Sequence, residues 1–380
     1  MIYLDNSATT RLDEDVLESM LPWLRDGYGN ASSIYDIGRR ARVAVESARS
    51  TIARALNAHP AEIIFTSGGT ESNNSILKSV LHESALARRL VVGATEHHAV
   101  LHPAEAERSA GTPVEVVPVH DDGCLDVAAL ERFNTTDTLV SIMHANNETG
   151  IIQPLEEVRR RIPNALLHSD AVQSFGKIPI DIEQLGVDFL SVSAHKIHGP
   201  KGVGAMFIRK GLDFKAHQQG GGQERNRRAG TEPVALIVGF ATAVQKAIDD
   251  VDARSRHMLE LMQRARQLIQ ADIPDVRVNT PEVGSLPNIL NVSFLDAERL
   301  DGEAIIQSMD IAGVAVSNGS ACVSGSQQPS HVLLAMGRPA AEARAAVRFS
   351  VSVHTTHDEI TQACAILRDV IRNLRGQTHN

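Results

Sequence analysis

Leu166-Leu-His-Ser-Asp-Ala-Val-Gln173 and, a little further on, Asp188-Phe-Leu-Ser-Val-Ser-Ala-His-Lys-Ile-His-Gly-Pro-Lys-Gly202 are the stretches that decide the fold. Each opens on a short apolar run of strand length and closes on polar residues able to do chemistry. Further runs of the same kind lie near Glu62–Thr66, Leu90–Ala94, Val114–Val119, Thr138–His144 and Gly204–Arg209, which makes seven strands with helical stretches between most of them. Ahead of them, Val16, Leu17, Met20, Leu21 and Leu24 recur at helical spacing over Glu14–Arg25, and a longer helix follows near Asp36–Asn57. Strands separated by helices require crossover connections. The expectation is an α/β fold built on a large, mostly parallel seven-stranded sheet with helices on both faces.

After Thr231 the pattern changes. A long helical region (about Pro233–Ala271, bent or broken) precedes shorter strands near Asn288–Phe294 and Ala346–Ser352, and the chain ends on a helix at about His357–Leu374. The reading is a large domain over 16–257 and a smaller α+β domain formed by 1–15 and 258–380. Open parallel sheets bind ligands beyond the carboxyl ends of their strands, so the residues just after each strand are the place to look.

Composition removes several alternatives. At 380 residues, 43% apolar and 22% charged, the chain is an ordinary globular protein with ample length for a core. Lys plus Arg number 37 against 46 Asp plus Glu, a formal charge of −9, which argues against direct nucleic-acid binding or a membrane surface. The longest apolar stretch, around Ala235–Val244, is far short of the ~20 residues that span a bilayer. The start, Met-Ile-Tyr-Leu-Asp, has neither a basic nor an apolar leader region, so a cytoplasmic location is expected. Three cysteines with no C-x-x-C pair exclude a disulfide framework. The paired His97 and His98, and His195 with His198, lack the further ligands of a zinc motif, so no metal is expected.

Four groups of residues carry chemistry. Lys196 sits just past a strand, where partial desolvation lowers an amine pKa and allows a Schiff base with a carbonyl. Asp170 ends the preceding strand, so the two side chains aim into one crevice; a carboxylate opposite such a lysine keeps a pyridine nitrogen protonated. Thr66-Ser-Gly-Gly-Thr-Glu leaves a strand and enters a helix, and the free N–H groups of a helix start bind anions. With Ser193, His195 and Gln173 at other strand ends it forms a phosphate cup. The fourth is Ser317-Asn-Gly-Ser-Ala-Cys-Val-Ser-Gly-Ser, in which Cys322 stands among glycines and serines as an exposed thiol suited to nucleophilic sulfur chemistry. Cys364 shares a helix face with Ile360, Leu367 and Ile371 and reads as core, and Cys124 reads as structural.

Together these stretches resemble the cysteine desulfurases, the NifS/IscS-like branch of the class V aminotransferases. The resemblance runs from Tyr3-Leu-Asp-Asn-Ser-Ala-Thr-Thr to Arg348-Phe-Ser and rests on Thr95-Glu-His-His-Ala, Asn146-Asn-Glu-Thr-Gly, Asp170-Ala-Val-Gln, Ser193-Ala-His-Lys, Arg228-Ala-Gly-Thr and Gly319-Ser-Ala-Cys. It implies the fold type I architecture of pyridoxal 5′-phosphate enzymes and a homodimer. It also makes Lys196 the cofactor-linking lysine, Asp170 the partner of the pyridine nitrogen, His97 the group stacked on the ring, and Gln173 the contact of the phenolic oxygen. Gly69, Thr70, Ser193 and His195 would hold the phosphate, with Thr231 reaching in from the other subunit. Arg348 would clamp the substrate carboxylate with help from Asn147, and Cys322 would be the nucleophile.

The implied reaction converts L-cysteine to L-alanine and leaves the sulfur as a persulfide on Cys322, for transfer to an acceptor protein. Iron–sulfur cluster assembly, tRNA thiolation, cofactor thiolation and DNA phosphorothioation all draw on such chemistry. A selenocysteine lyase or an aminotransferase is the alternative of the same cofactor class, and a cofactor-free binding protein that of another. Ala31 stands where many relatives have proline, and Asn318, Val323, Gln327 and Gln328 vary the cysteine loop; none removes a chemical group. The segment Ser324–Ser330 resembles the longer loop of the branch whose cysteine reaches a partner's thiol directly.

Overall fold

The computed structural model describes residues 1–318 and 328–377. Twelve strands lie among them: β1 Ile2–Tyr3, β2 Ile63–Thr66, β3 Arg89–Gly93, β4 Val114–Val117, β5 Thr138–Ser141, β6 Leu166–Asp170, β7 Phe189–Ser193, β8 Gly204–Ile208, β9 Val276–Val278, β10 Ile289–Phe294, β11 Val314–Ala315 and β12 Val347–Ser350. Seven of them make one sheet in the order β2-β8-β7-β6-β5-β3-β4. All neighbours pair in parallel except those of β8, which runs antiparallel to both β2 and β7. The seven-stranded α/β expectation holds, and the reversal of β8 has a simple cause: the connection 194–203 is shorter than the about a dozen residues a crossover needs.

The inner strands are covered on both faces, whereas the edge strand β4 leaves Glu115 and Val116 exposed. Ile63, Phe65, Val91, Val140, Leu190, Val192 and Phe207 point into one core, under the helices Glu14–Arg25, Asp36–Ala55 and Val234–Asp249. Their neighbours Ile64, Leu90, Val92, Leu139, Phe189, Met206 and Ile208 point into the other, under Gly69–Lys78 and His98–Ser109. Along the inner strands the period-2 alternation thus divides the apolar residues between two cores.

The remaining strands form a β12-β10-β9 antiparallel sheet and a β1-β11 parallel pair. They share a core with the helices Val251–Asp272, Gly302–Ile311 and His357–Gln377. The long helical region breaks at Asp250, whose φ of −131° and ψ of 30° are not helical. The strands β1, β9 and β11 have two or three residues each and leave no periodic signal in the sequence. Their effect on the site is nonetheless large: β1 pairs with β11, and Asp5 then bridges to Ser350 at the end of β12, which carries the first residues of the chain to the end of the large sheet. Among the described residues no helix is long and apolar enough to cross a membrane.

Candidate active site

Strands β6 and β7 are parallel neighbours, so their carboxyl ends lie side by side. Asp170 is the last residue of β6, and Lys196 closes the one-turn helix Ala194–Lys196 that leaves β7. Both line a cavity of about 240 Å³ at this end of the sheet. Asp170 is braced by the Asn73 amide, Nδ2 to Oδ2 2.6 Å, and by the Val172 N–H to Oδ1 at 2.9 Å. Lys196 Nζ donates to the carbonyls of Ser7 and, at 2.7 Å, Ala8.

The end of β2 supplies the anion cradle. Gly68, with φ +149°, precedes the helix Gly69–Lys78, whose first N–H groups have no partner inside the helix. Gly69 leaves room that no other residue would: a Cβ there would lie 2.5 Å from Val172 Cγ2. Ser193 Oγ is buried with no hydrogen-bond partner and faces Gly68. His97, also on the cavity wall, caps the helix His98–Ser109, its Nδ1 accepting the Ala99 N–H at 3.0 Å, so the ring proton resides on Nε2.

Arg348, on β12, is 1% exposed and closes the cavity from the side of the smaller sheet. Its Nη1 donates to the Asn147 carbonyl at 2.8 Å and its Nη2 to Asp5 Oδ1 at 2.7 Å, while Nε has no partner.

Burial, then the nearby Arg348 guanidinium, lower Lys196 to about 8, against the opposing pull of Asp5 and Asp170. Burial also lowers His97, with Asp170 opposing and Lys196 adding to the fall; His195 is lowered to about 4 by burial and then Lys196. Both rings are therefore neutral near pH 7. Two buried carboxyls close by, Glu96 and Glu148, are pushed up, mainly by burial. The hollow thus holds two cationic side chains, Lys196 and Arg348, alongside Asp170 and Asp5, and presents N–H donors to a ligand that carries phosphate and carboxylate groups.

The family profile described as aminotransferase class-V matches residues 2–362. A cysteine desulfurase IscS of Dictyoglomus turgidum is 43% identical over 378 residues, covering 98% of this chain and 95% of its own. A solved NifS-like protein superposes with a TM-score of 0.90 at 38% identity, covering 98% of this chain and 99% of that one. The structure described as SspA in complex with cysteine has a TM-score of 0.81 at 32% identity, covering 94% of this chain and 100% of that one.

This chain belongs to the cysteine desulfurase family. Of the residues that the sequence nominates for a desulfurase site, Gly69, Thr70, His97, Asn147, Asp170, Gln173, Ser193, His195, Lys196 and Arg348 line the one cavity. Thr231 does not. It lines a separate hollow of about 110 Å³ with Arg228 and Gly202, beside Thr66 and Ser67 at the end of β2. Cys322 lies outside the described residues. Cys364 is buried and pushed up to about 12, mainly by burial, which agrees with its reading as core. Sequence reasoning overlooked the contributions of Asp5, Asn73, and the Ser7 and Ala8 carbonyls. Asp5 and Ser7 are within the Tyr3–Thr10 motif, but only the β1-β11 pairing brings that motif to the sheet end.

Proposed function

We propose that this chain is a pyridoxal-phosphate-dependent desulfurase that takes sulfur from L-cysteine, releases L-alanine, and hands the sulfur on as a persulfide of Cys322. The observation that carries the reading is one cavity holding a depressed-pKa lysine, a braced aspartate and a buried arginine. The hollow fits the cofactor. The bare Gly69 wall and the unpartnered Ser193 hydroxyl suit its phosphate, Asp170 its pyridine nitrogen, and the His97 ring its face. When bound, pyridoxal phosphate supplies an electron sink that makes the Cα proton of an attached amino acid removable.

This chain's residues do the rest. Lys196 holds the cofactor and, as a neutral amine, takes the Cα proton. Arg348 receives the substrate carboxylate with the two-pronged geometry of a guanidinium, and Asn147 helps to orient it. The Cys322 thiolate attacks the substrate sulfur: an S–S bond forms, the C–S bond breaks, and its electron pair stays on carbon, which takes up a proton. Alanine leaves, and the sulfur stays on Cys322 until a thiol of the acceptor attacks it. The acceptor is an iron–sulfur scaffold or a thiolation enzyme. A homodimer would let Thr231 complete the cup of the partner subunit, since it does not line the cup of its own. We assign 16–257 to a cofactor-binding domain, and 1–15 with 258–380 to a smaller domain that brings Arg348 and the cysteine loop.

The test is the visible absorption of the purified protein before and after L-cysteine, with alanine and sulfide quantified. A cofactor band that changes with substrate, and alanine matching sulfur in a Cys322-dependent way, is the expected result. A chain that takes up no pyridoxal phosphate, or a Cys322→Ala variant that still releases sulfide at the full rate, refutes it.

A further inference from the structure

Lys177 is a second lysine beside the cavity, and the reaction above gives it no part. It is 5% exposed, and among the described residues no carboxylate lies within ion-pair distance of it. A buried amine without a counter-ion costs stability that a methionine of similar shape would not. Its Nζ donates to the Gln173 carbonyl at 2.7 Å and to Gln173 Oε1 at 3.2 Å. Gln173 Nε2 in turn donates to the Ser7 carbonyl at 2.9 Å, the same oxygen that accepts from Lys196. Lys177 does not line the cavity, whereas Gln173 does.

The side chain of a glutamine has an acceptor end and a donor end, and nothing intrinsic chooses between its two flips. Here both neighbours choose. An amine set to donate faces Oε1, and a carbonyl that can only accept faces Nε2. Flipping the amide would set donor against donor at Lys177 and acceptor against acceptor at Ser7, each mismatch worth about 1–3 kcal/mol. Burial and then Lys196 lower Lys177 to about 7; the ammonium form can only donate, whereas the neutral amine also carries a lone pair, so the lock is fullest below that pH.

We propose that Lys177 is a positioning residue that locks the Gln173 amide with its N–H end toward the cavity, so that this wall of the site selects a ring bearing an anionic oxygen. The inference rests on the cofactor reading above, in which that oxygen is the phenolate of the pyridine ring. A residue that merely caps its own turn would affect every ligand alike; one that sets the flip affects only ligands with an acceptor at that ring position.

The experiment measures binding to the full-length chain stripped of cofactor. The probes are pyridoxine 5′-phosphate, whose alcohol cannot link to Lys196, and the same compound without its ring hydroxyl. The wild type should prefer the hydroxylated ligand by about tenfold or more, as a hydrogen bond to a charged oxygen implies. In Lys177→Met only the Ser7 carbonyl still orients the amide, so the preference should fall part of the way, by about twofold or more, with the affinity for the deoxy ligand nearly unchanged. Should that variant not fold, Lys177→Gln keeps a donor for the Gln173 carbonyl but no longer dictates the flip, and the same loss is expected. A folded variant that keeps the full preference, or that loses both affinities equally, overturns the inference. Failure of the wild type to bind either ligand would instead overturn the cofactor reading on which it rests.

Discussion

An amine must be neutral to attack a carbonyl, so the protonation of Lys196 decides whether the site works near neutral pH. Burial and Arg348 place it at about 8, against 10.5 for an ordinary lysine. At pH 7.5 roughly a quarter of the molecules then carry the free amine, compared with about one in a thousand for an unperturbed lysine, a gain of roughly two-hundredfold. The sign follows from the lowered value: reactivity is nearly full above about pH 9 and falls about tenfold per unit below pH 8. Competitive labelling of the cofactor-free chain with trace acetic anhydride, read lysine by lysine by mass spectrometry, follows this titration directly. Replacing Arg348 by glutamine removes the leading charge that lowers the amine, so the midpoint should move up. A Lys196 midpoint near 10 in the wild type, or one indifferent to Arg348→Gln, would refute this account of the site's electrostatics.

Three further outcomes follow from the same geometry. Gly69→Ala places a methyl group 2.5 Å from Val172 Cγ2 and should weaken pyridoxal phosphate binding by about tenfold or more in an equilibrium titration, with recovery in the Gly69→Ala, Val172→Ala double variant. Asp170→Asn should still bind cofactor but turn over L-cysteine at least about a hundredfold more slowly, since about 2.7 kcal/mol of charge stabilisation is lost; a variant within threefold of wild type argues against Asp170 as the partner of the pyridine nitrogen. Glu224 and Arg49, 1% and 3% exposed at the side chain, form a bidentate pair at 2.7 and 2.9 Å beneath the loop that carries Thr231. Glu224→Gln leaves that arginine with only the half-exposed Glu46 as counter-charge and should cost about 3 kcal/mol in urea unfolding, whereas a loss below about 1 kcal/mol would mean the pair is dispensable.

The large sheet was legible because its strands, β4 apart, are covered on both faces. Ile63-Ile-Phe and Leu190-Ser-Val stand out as apolar runs whichever core each residue joins. Its ligand-binding end was legible for the same reason, since Asp170 and Lys196 each end such a run. What could not be read there are contacts made by two- and three-residue strands. The pairing of Ile2 with Val314 has no periodic signature, yet it sets Asp5 against Arg348 and the Ser7 carbonyl against Lys196. The antiparallel course of β8 depended on counting a connection rather than on composition. Lys177 escaped notice because a lysine between a glycine and an isoleucine reads as turn surface, and only the fold buries it.

The central claim is that sulfur leaves L-cysteine for Cys322. The most direct measurement is to mix the cofactor-loaded enzyme with sulfur-labelled L-cysteine, without an acceptor, and to locate the label by mass spectrometry of alkylated peptides. One labelled sulfur atom should be added to the peptide containing Cys322, none to Cys124 or Cys364, with alanine formed in the same amount in the first turnover. Alanine formed with no sulfur on Cys322, or label on another cysteine in a Cys322→Ala variant that keeps its rate, would contradict it.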